Sequence, residues 1–409
     1  MRFYGTCVFL LAVFFISCTE NRTAQIWTDR PEFALYGEFF NNIQSQYKVT
    51  VRYVEFPAEE LGKSKGPDIA AGSWLKNAST GTYFKSLNNL FGFKKLPRNV
   101  FYQRLLAAGR IDRNQFLLPV SFNIPALIFS RDREQELSNQ FTVDFDEIKN
   151  LSRSYNASSR GAYTRMGFSP LWNEDFLLTS AFLSGAAFSE ADPLYWDNEA
   201  LEKSMDFIYN WTREINTSSQ AVEDFKFKYF FEPPDVLIKS GRILFSYIKS
   251  SDLFYLSEDR RNYLDFRWIM EQNMIPVTED LVYLGIPKRA KSRKAARAFV
   301  LWFFRPENQR LLLEYSRANR INENTFGICG GFSALSSVTE QIYPLFYPEL
   351  LGRMPPSEYF TPQSLLPGRW AAIKERLILP YLGERARRER ADEIYPLERR
   401  LADWIKVNK

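Results

Sequence analysis

The sequence predicts a two-lobed α/β protein, and three observations lead there. The chain has 409 residues, more than one hydrophobic core ordinarily serves, so two domains or two lobes sharing crossing strands are expected. Its N-terminal part alternates strand, helix and strand at the length of a βαβ unit, which implies parallel pairing. Residues 118–132, LPVSFNIPALIFSRD, read as extended but carry Pro119 and Pro125 around a polar centre at Ser121–Asn123. A continuous central strand does not accommodate two residues without backbone donors. The segment is therefore not expected to form one continuous strand.

The first eighteen residues, MRFYGTCVFLLAVFFISC, place one arginine before an apolar run too short to span a bilayer as a helix. This is a secretory signal pattern. Its end, FISC, resembles a bacterial lipoprotein processing box, with Phe15 bulkier than the usual residue there. On that reading residues 1–17 are a signal peptide, Cys18 is acylated, and residues 18–24 are a polar tether. A plain signal peptide with Cys18 incidental is the alternative. Cys7 would leave with the signal, so Cys329 stays alone and no internal disulfide is possible. An exported chain without disulfides suits a large-cored bacterial envelope protein.

QIWTDRPEF gives a strand ending near Thr28, and the following helix carries Phe33, Tyr36, Phe39, Phe40 and Ile43 on one face. KVTVRYVEF alternates as a strand, and GPDIAAGSWL is a further short strand with a loop at its end. Open α/β sheets bind ligands at such strand ends, so Thr28, Asp29, Arg30, Ser73 and Trp74 are expected on one rim. TVDFDEIKNLSRSYN opens with acidic capping chemistry and continues as a helix. Helices follow from Phe176 to Leu183 and over NEALEKSMDFIYNWTREI. DVLIKSGRILFSYIKSSDLF reads as helix, glycine break and strand. In residues 281–315 an extended segment and a basic turn precede a long helix, its apolar stripe read at Ala298, Val300, Leu301 and Phe304, broken at Pro306.

Composition narrows the function classes. There is no histidine, which removes imidazole metal sites, Ser–His triads and histidine bases. No cofactor or metal is expected. The net charge of +5 is modest, and the basic run RARRER is interleaved with acid, as in a solvated helix face rather than a nucleic-acid stripe. Aromatics make up 16% of the chain, which serves core filling and also suits binding of a ligand with flat apolar faces.

In element order the chain resembles the extracellular solute-binding proteins of ABC importers, in the sugar-binding group that includes maltose-binding protein. The residues carrying the likeness are IWTDRPEF…FNNIQSQYKVTVRYVE, KGPDIAAGSW, SGRILFSYIKSSDL and GIPKRAKSRKAARAFVLWFFRPENQRLLLEY. Each block is degenerate, and Gly241–Phe245 departs from the group's usual glycine-centred strand. The resemblance implies a type II periplasmic-binding-protein fold, the Venus-flytrap arrangement. Each lobe would be a mixed, mainly parallel sheet flanked by helices, with hinge segments between. Lobe 1 would take residues 25–121 and 281–325, lobe 2 would take 122–280, and a C-terminal helical part, 326–409, would pack on lobe 2.

Carried over by position, the likeness places Asp29, Arg30, Ser73 and Trp74 on the first lobe's ligand face and Asn123 at the cleft floor. Trp172, Asn173 and Asp175 fall in a contacting loop of the second lobe, and Tyr247 and Trp370 lie at or beside stacking positions. Neutral Asn123 stands where an acid is usual, and Tyr247 where a larger ring is usual, so the ligand need not be a maltodextrin. For Trp74, Trp172 and Trp370, at loop edges beside polar residues, ligand contact and core packing both remain open; Trp27, Trp211, Trp268 and Trp302 read as core. The implied function is a lipid-anchored, monomeric receptor. It would pass a small solute, a sugar or oligosaccharide, to an ABC permease, on the periplasmic side of the inner membrane or at the cell surface. The alternatives are a surface lipoprotein or adhesin that keeps the fold without transport, and a glycosidase using Glu174–Asp175 or Asp29–Glu32, which would need carboxyls across a scissile bond.

Overall fold

The computed structural model describes residues 22–62, 66–92, 95–192, 194–321, 325–387 and 394–407. The signal pattern and Cys18 lie outside them. The expected βαβ unit forms: β1 (Thr23–Thr28), α1 (Glu32–Ile43) and β2 (Lys48–Tyr53), with β1 and β2 parallel from Thr23↔Lys48 to Thr28↔Tyr53. Phe33, Tyr36 and Phe40 are buried on α1, while Phe39 is half-buried and Ile43 exposed at the frayed end. β3 (Ile69–Gly72), β4 (Leu118–Phe122), β10 (Val282–Gly285) and β11 (Phe332–Ser333) complete a six-stranded sheet ordered β11-β4-β10-β3-β1-β2.

The second sheet has the order β7-β5-β8-β6, from β5 (Pro125–Ser130), β6 (Thr142–Val143), β7 (Ser246–Lys249) and β8 (Leu264–Ile269). Both sheets are mixed, as expected, but not mainly parallel. Parallel pairing is confined to β1–β2, β1–β3 and β6–β8 in these sheets. The other ladders are antiparallel.

The proline-bearing segment is two strands in two sheets. β4 belongs to the first lobe and β5 to the second, and only Asn123–Ile124 separates them. Pro119 does not end the pairing. It sits inside β4 opposite Tyr283, next to a register shift, a bulge that tolerates a missing donor. Pro125 opens β5 opposite Lys249.

Two further passages lie beside this one. β9 (Ile275–Pro276) pairs in parallel with β12 (Phe360–Thr361), and Val277 N–H donates to Thr361 O at 3.0 Å. Thr278 N–H donates to Asn123 O at 2.9 Å. The hinge thus has three neighbouring extended passages, held to one another by backbone bonds. The return to the first lobe runs past residue 325, because Phe332–Ser333 pairs with Phe122 and Ser121 as an edge strand. The C-terminal helical residues then pack on the second lobe, with Leu379–Arg387 against Glu174–Leu183 and Asn198–Asn216.

Helix ends follow local chemistry. α2 (Phe145–Tyr155) starts at Asp144, whose carboxylate accepts the Glu147 N–H at 2.8 Å. α3 (Glu174–Leu183) starts at Asn173, and α4 (Asn198–Asn216) at Asp197. α5 (Ser219–Tyr229) starts at Ser218. The long helix expected after the basic turn breaks, as expected, into α6 (Arg293–Phe303) and α7 (Pro306–Ala318), with proline where its missing N–H is not needed. The buried face of α6 is Ala295, Ala296, Phe299, Val300 and Phe303. Val300 and Phe304 are buried as expected, while Ala298 and Leu301 are only half-buried.

Most aromatic residues go into the core. Trp211 is fully buried among Phe145, Phe168, Phe176 and Phe207, with ring centroids 5.8–6.1 Å apart. Trp27 and Trp268 are buried as expected, and Trp302 is half-buried against Phe39, Phe40 and Phe299. Among the described residues no helix is long and apolar enough to cross a membrane.

Candidate functional site: the cleft between the lobes

The first-lobe rim is built where β1 and β3 end. Asp29 Oδ2 accepts the Ser73 N–H at 3.2 Å, and Arg30 Nη2 donates to Ser73 Oγ. Ser73 Oγ in turn donates to the carbonyl of Asp280 at 3.1 Å, tying the rim to the second hinge passage. Gly72 permits this geometry, since a Cβ there would stand 2.6 Å from Asp29 Oδ1. Burial raises the Asp29 carboxyl above its ordinary pKa, against the pull of Arg30 and the Ser73 N–H. Burial works against the Arg30 charge, but Asp29 and Asp280 more than offset it and hold the guanidinium above its usual value.

Trp74 follows with φ +56°, a left-handed conformation that bulky side chains rarely adopt. Its ring is half-buried, and its indole N–H is enclosed without a hydrogen-bond partner. A strained backbone persists where surrounding structure imposes it, and such positions concentrate at ligand clamps. Asp29 Oδ1 and Arg30 Nε, 3.5 Å apart, also lack a hydrogen bond.

The opposite wall is a network of alternating charges. Asp175, in the first turn of α3, lies 2.9 Å from Lys249 Nζ and 2.7 Å from Lys374 Nζ. Lys374 also reaches Glu279 Oε1 on the second hinge passage at 2.5 Å. Burial alone would raise the Asp175 pKa, but Lys249 and Lys374 overcome it and hold the carboxyl below the usual range. Burial opposes the charge of both lysines, yet Glu279 and Asp175 keep them more basic than ordinary lysines. Lys374 opens a π-type turn, Lys374–Ile378, in the C-terminal helical stretch that starts at Trp370.

The structure brings Asp29, Arg30, Ser73, Asp175 and Tyr247 around the cleft but gives several candidates other duties. Asn123 holds the hinge: Nδ2 donates to Gly330 O at 3.0 Å, and Oδ1 accepts from Ser250 Oγ at 2.7 Å. The Asn173 side-chain oxygen caps α3 by accepting the Asp175 and Phe176 N–H groups. Tyr247 is buried beneath the charge network, its ring against Phe176 and its hydroxyl 3.0 Å from Thr179 Oγ1. Trp172 packs on Phe168, Phe225 and Phe230 within the second lobe. Trp370 is 2% exposed, with Phe188 at 5.6 Å.

Lys249, Glu279, Asp280 and Lys374 did not come out of the sequence reading. Lys374 was within reach, since it lies one helical turn from Trp370. Lys249 follows Tyr247 at the end of the same strand. Glu279 and Asp280 gave no signal, because only the crossing places them here.

In this conformation the lobes touch at the mouth. Glu190 of the second lobe accepts the Ala78 N–H of the first, and Arg369 lies 3.8 Å from Glu59. A small pocket of about 20 Å³, on the scale of a single water, lies among Asp175, Thr179, Tyr247, Lys249 and Glu279, and no residue of the first-lobe rim lines it. A wider hollow of about 540 Å³ opens between residues 254–261, α7 and Phe346–Tyr347, and none of the ten candidate residues lines it. Among the described residues no group of acids and cysteines is placed to hold a metal.

No family model matches the sequence, and no curated protein matches it. Solved structures do match, over nearly the whole chain. The cyclic α-maltosyl-1,6-maltose binding protein of Arthrobacter globiformis aligns with TM-score 0.61 at 15% identity, over 90% of this chain and 94% of that one. The fold is that of the two-lobed ABC substrate-binding proteins. The Listeria monocytogenes substrate-binding protein Lmo0181, solved with cycloalternan, aligns with TM-score 0.58 at 13% identity, over 93% and 96%. The GacH receptor of Streptomyces glaucescens, solved unliganded and with acarbose, aligns with TM-score 0.54 at 14% identity, over 94% and 97%.

Proposed function

We propose that the chain is a solute receptor that closes its two lobes on a small hydroxyl-rich ligand, a sugar or oligosaccharide, and presents it to an ABC permease. The observation that carries the reading is the first-lobe rim. A tryptophan held at φ +56°, with an unpartnered indole N–H, stands beside the Asp29–Arg30–Ser73 cluster at the ends of parallel strands. An aromatic face next to a carboxylate, a guanidinium and a hydroxyl provides a stacking surface and hydrogen-bonding groups of both senses, which is what a pyranose requires. The second lobe meets this rim with a charge network fixed by Lys374, and the three-passage hinge allows the two walls to move as units. Closure then needs only that the ligand gain more from the closed state than from the open one. The matching folds are binding proteins, which supports capture rather than turnover. On the same reading the chain is exported, acylated at Cys18, and held by that lipid at the membrane facing the periplasm or the cell exterior.

The test is thermal-shift screening of the purified protein against mono- and oligosaccharides, followed by calorimetry on the hits. A saccharide that binds in the micromolar range, about −8 kcal/mol, and loses affinity in Trp74→Ala is the expected result. No shift with any saccharide refutes the sugar reading, and release of reducing sugar from a bound glycoside refutes the binding-only reading.

A further inference from the structure

Charge is unevenly placed along the chain. Residues 69–111 and 281–306 contain fourteen lysines and arginines and no aspartate or glutamate, although the whole chain carries 53 bases against 48 acids. The fold puts these two acid-free stretches side by side. Lys85 N–H donates to Ile286 O at 2.9 Å, Lys288 N–H to Tyr83 O at 2.8 Å, and Lys288 Nζ to Gly81 O at 2.7 Å. β1, β2 and β3 run parallel, and β10 runs against β3 with Gly285 opposite Ala70. Residues 286–293 therefore lie at the end of the sheet where β1 and β2 begin, and the ligand rim at Asp29 and Ser73 lies at the other end. Asp68 fixes the arrangement, its carboxylate accepting the N–H groups of Gln25, Lys291 and Ser292.

Lys48, Lys85, Lys288, Arg289, Lys291 and Arg293 are exposed at this end, and among the described residues none of them is ion-paired with a carboxylate. Arg293 donates instead to the carbonyls of Ala290 and Lys288, both at 3.1 Å. The acids at hand do not cancel these charges. Asp68 is buried and turned inward, Glu59 lies 3.8 Å from Arg369 at the cleft mouth, and residues 39–54, which turn at the same end, have no acid. Lys294 and Glu60 are engaged and stand outside the count. Among the described residues of the two stretches no large apolar side chain is exposed, and Ile43 at the end of α1 stands alone.

We propose that this end of the first lobe docks on the headgroups of an anionic phospholipid bilayer, with the ligand rim turned away from the membrane. Folding does not account for the cations, since bases in the first turn of α6 work against the helix dipole. The face also lacks the exposed aromatic anchors of a protein hot spot or of a base-stacking platform. What it fits is a hydrated surface of phosphates, met by charge alone. The choice of a bilayer over another polyanion rests on the acylated-Cys18 reading. Five residues separate Cys18 from Thr23, where β1 starts at this same end, so the lipid is held within about 18 Å of it. A basic face beside a lipid anchor supplies the second signal that firm anchoring uses. The proposal is independent of the sugar reading.

The test is sedimentation of residues 22–409, which hold the whole described fold and lack Cys18, with vesicles of phosphatidylcholine alone and of phosphatidylcholine with phosphatidylglycerol. Binding to the anionic vesicles only, weakening as salt rises, is expected. Lys85→Glu/Arg289→Glu/Lys291→Glu should lower that affinity about a hundredfold or more. Charge reversal on the second lobe, Lys203→Glu/Lys228→Glu, should leave it within about threefold, because exposed charges more than a Debye length from the contact are screened. Both variants change exposed side chains, so unchanged melting curves confirm that they fold. No binding to anionic vesicles, equal binding to neutral ones, or undiminished binding by the triple variant overturns the proposal. Tighter binding to duplex DNA than to the vesicles overturns it as well, since the occupant is then a nucleic acid. Fatty-acid labelling of the full chain reads the anchor separately. Labelling at Cys18 without vesicle binding overturns the docking and leaves the anchor, while vesicle binding without labelling upholds the docking and overturns the anchor.

Discussion

Replacing Lys374 by methionine keeps the aliphatic stem and removes one charge from the centre of the second cleft wall. The ammonium lies 2.7 Å from Asp175 and 2.5 Å from Glu279, with side-chain exposures of 9%, 29% and 12% in that order. Asp175 retains Lys249 at 2.9 Å, so it is not stranded, but Glu279 loses a close cation in a mostly buried setting. Breaking a buried pair on one side costs about 3–5 kcal/mol. The partial exposure of Asp175 and its second lysine bring the expectation to the lower end, about 3 kcal/mol, or about 4 °C in melting temperature for a chain of this length. The pH dependence has a fixed sign. The folded pKa of Asp175 is depressed, so its stabilisation is present above the ordinary carboxylate range and lost as pH falls through the folded value. The gap between wild type and variant is therefore widest at neutral pH and narrows below about pH 4. Urea unfolding of wild type, Lys374→Met, Asp175→Asn and the double variant at pH 7 and at about pH 3 measures it. A loss under about 1 kcal/mol, or losses that simply add in the double variant, would refute the network.

Trp74→Ala should weaken ligand binding about tenfold or more while melting within a few degrees of wild type, because the ring is half-buried and the substitution relaxes no core. Trp370→Ala should do the reverse, losing about 3–5 kcal/mol of stability, since a side chain 2% exposed against Phe188 leaves a cavity; calorimetry and thermal melts on both variants separate the two roles. Asn123→Ala removes the amide that joins Gly330 to Ser250, and about 2–4 kcal/mol should be lost in urea unfolding as these buried groups go unpaired. Asp68→Ala should lose a similar amount, because its carboxylate accepts the N–H groups of Gln25, Lys291 and Ser292 and so pins the start of α6 to β1.

The elements that sequence reasoning found are those whose signals are local. The βαβ unit at residues 23–53 follows from periodicity, the start of α2 from Asp144, and the break between α6 and α7 from Pro306. On α6 the sequence pattern finds Val300 and Phe304 but also takes in the half-buried Ala298 and Leu301, because these are apolar too and only the neighbouring sheet decides which side of an apolar helix is covered. The rim residues Asp29, Arg30, Ser73 and Trp74 were legible because strand ends in α/β sheets converge by topology. Lys249, Glu279 and Lys374 were not, because charge alone does not say which charges meet.

By itself, then, the sequence determined many of the elements and the lack of imidazole chemistry, since capping and periodicity act within a few residues. Only the tertiary structure decided that Asn123 is a hinge tie, that Trp370 is core, and that Lys374 bonds Glu279 95 residues away. Those assignments depend on which segments the three passages bring side by side. Contacts across that distance are set by the packing of whole lobes, which no short stretch of sequence encodes.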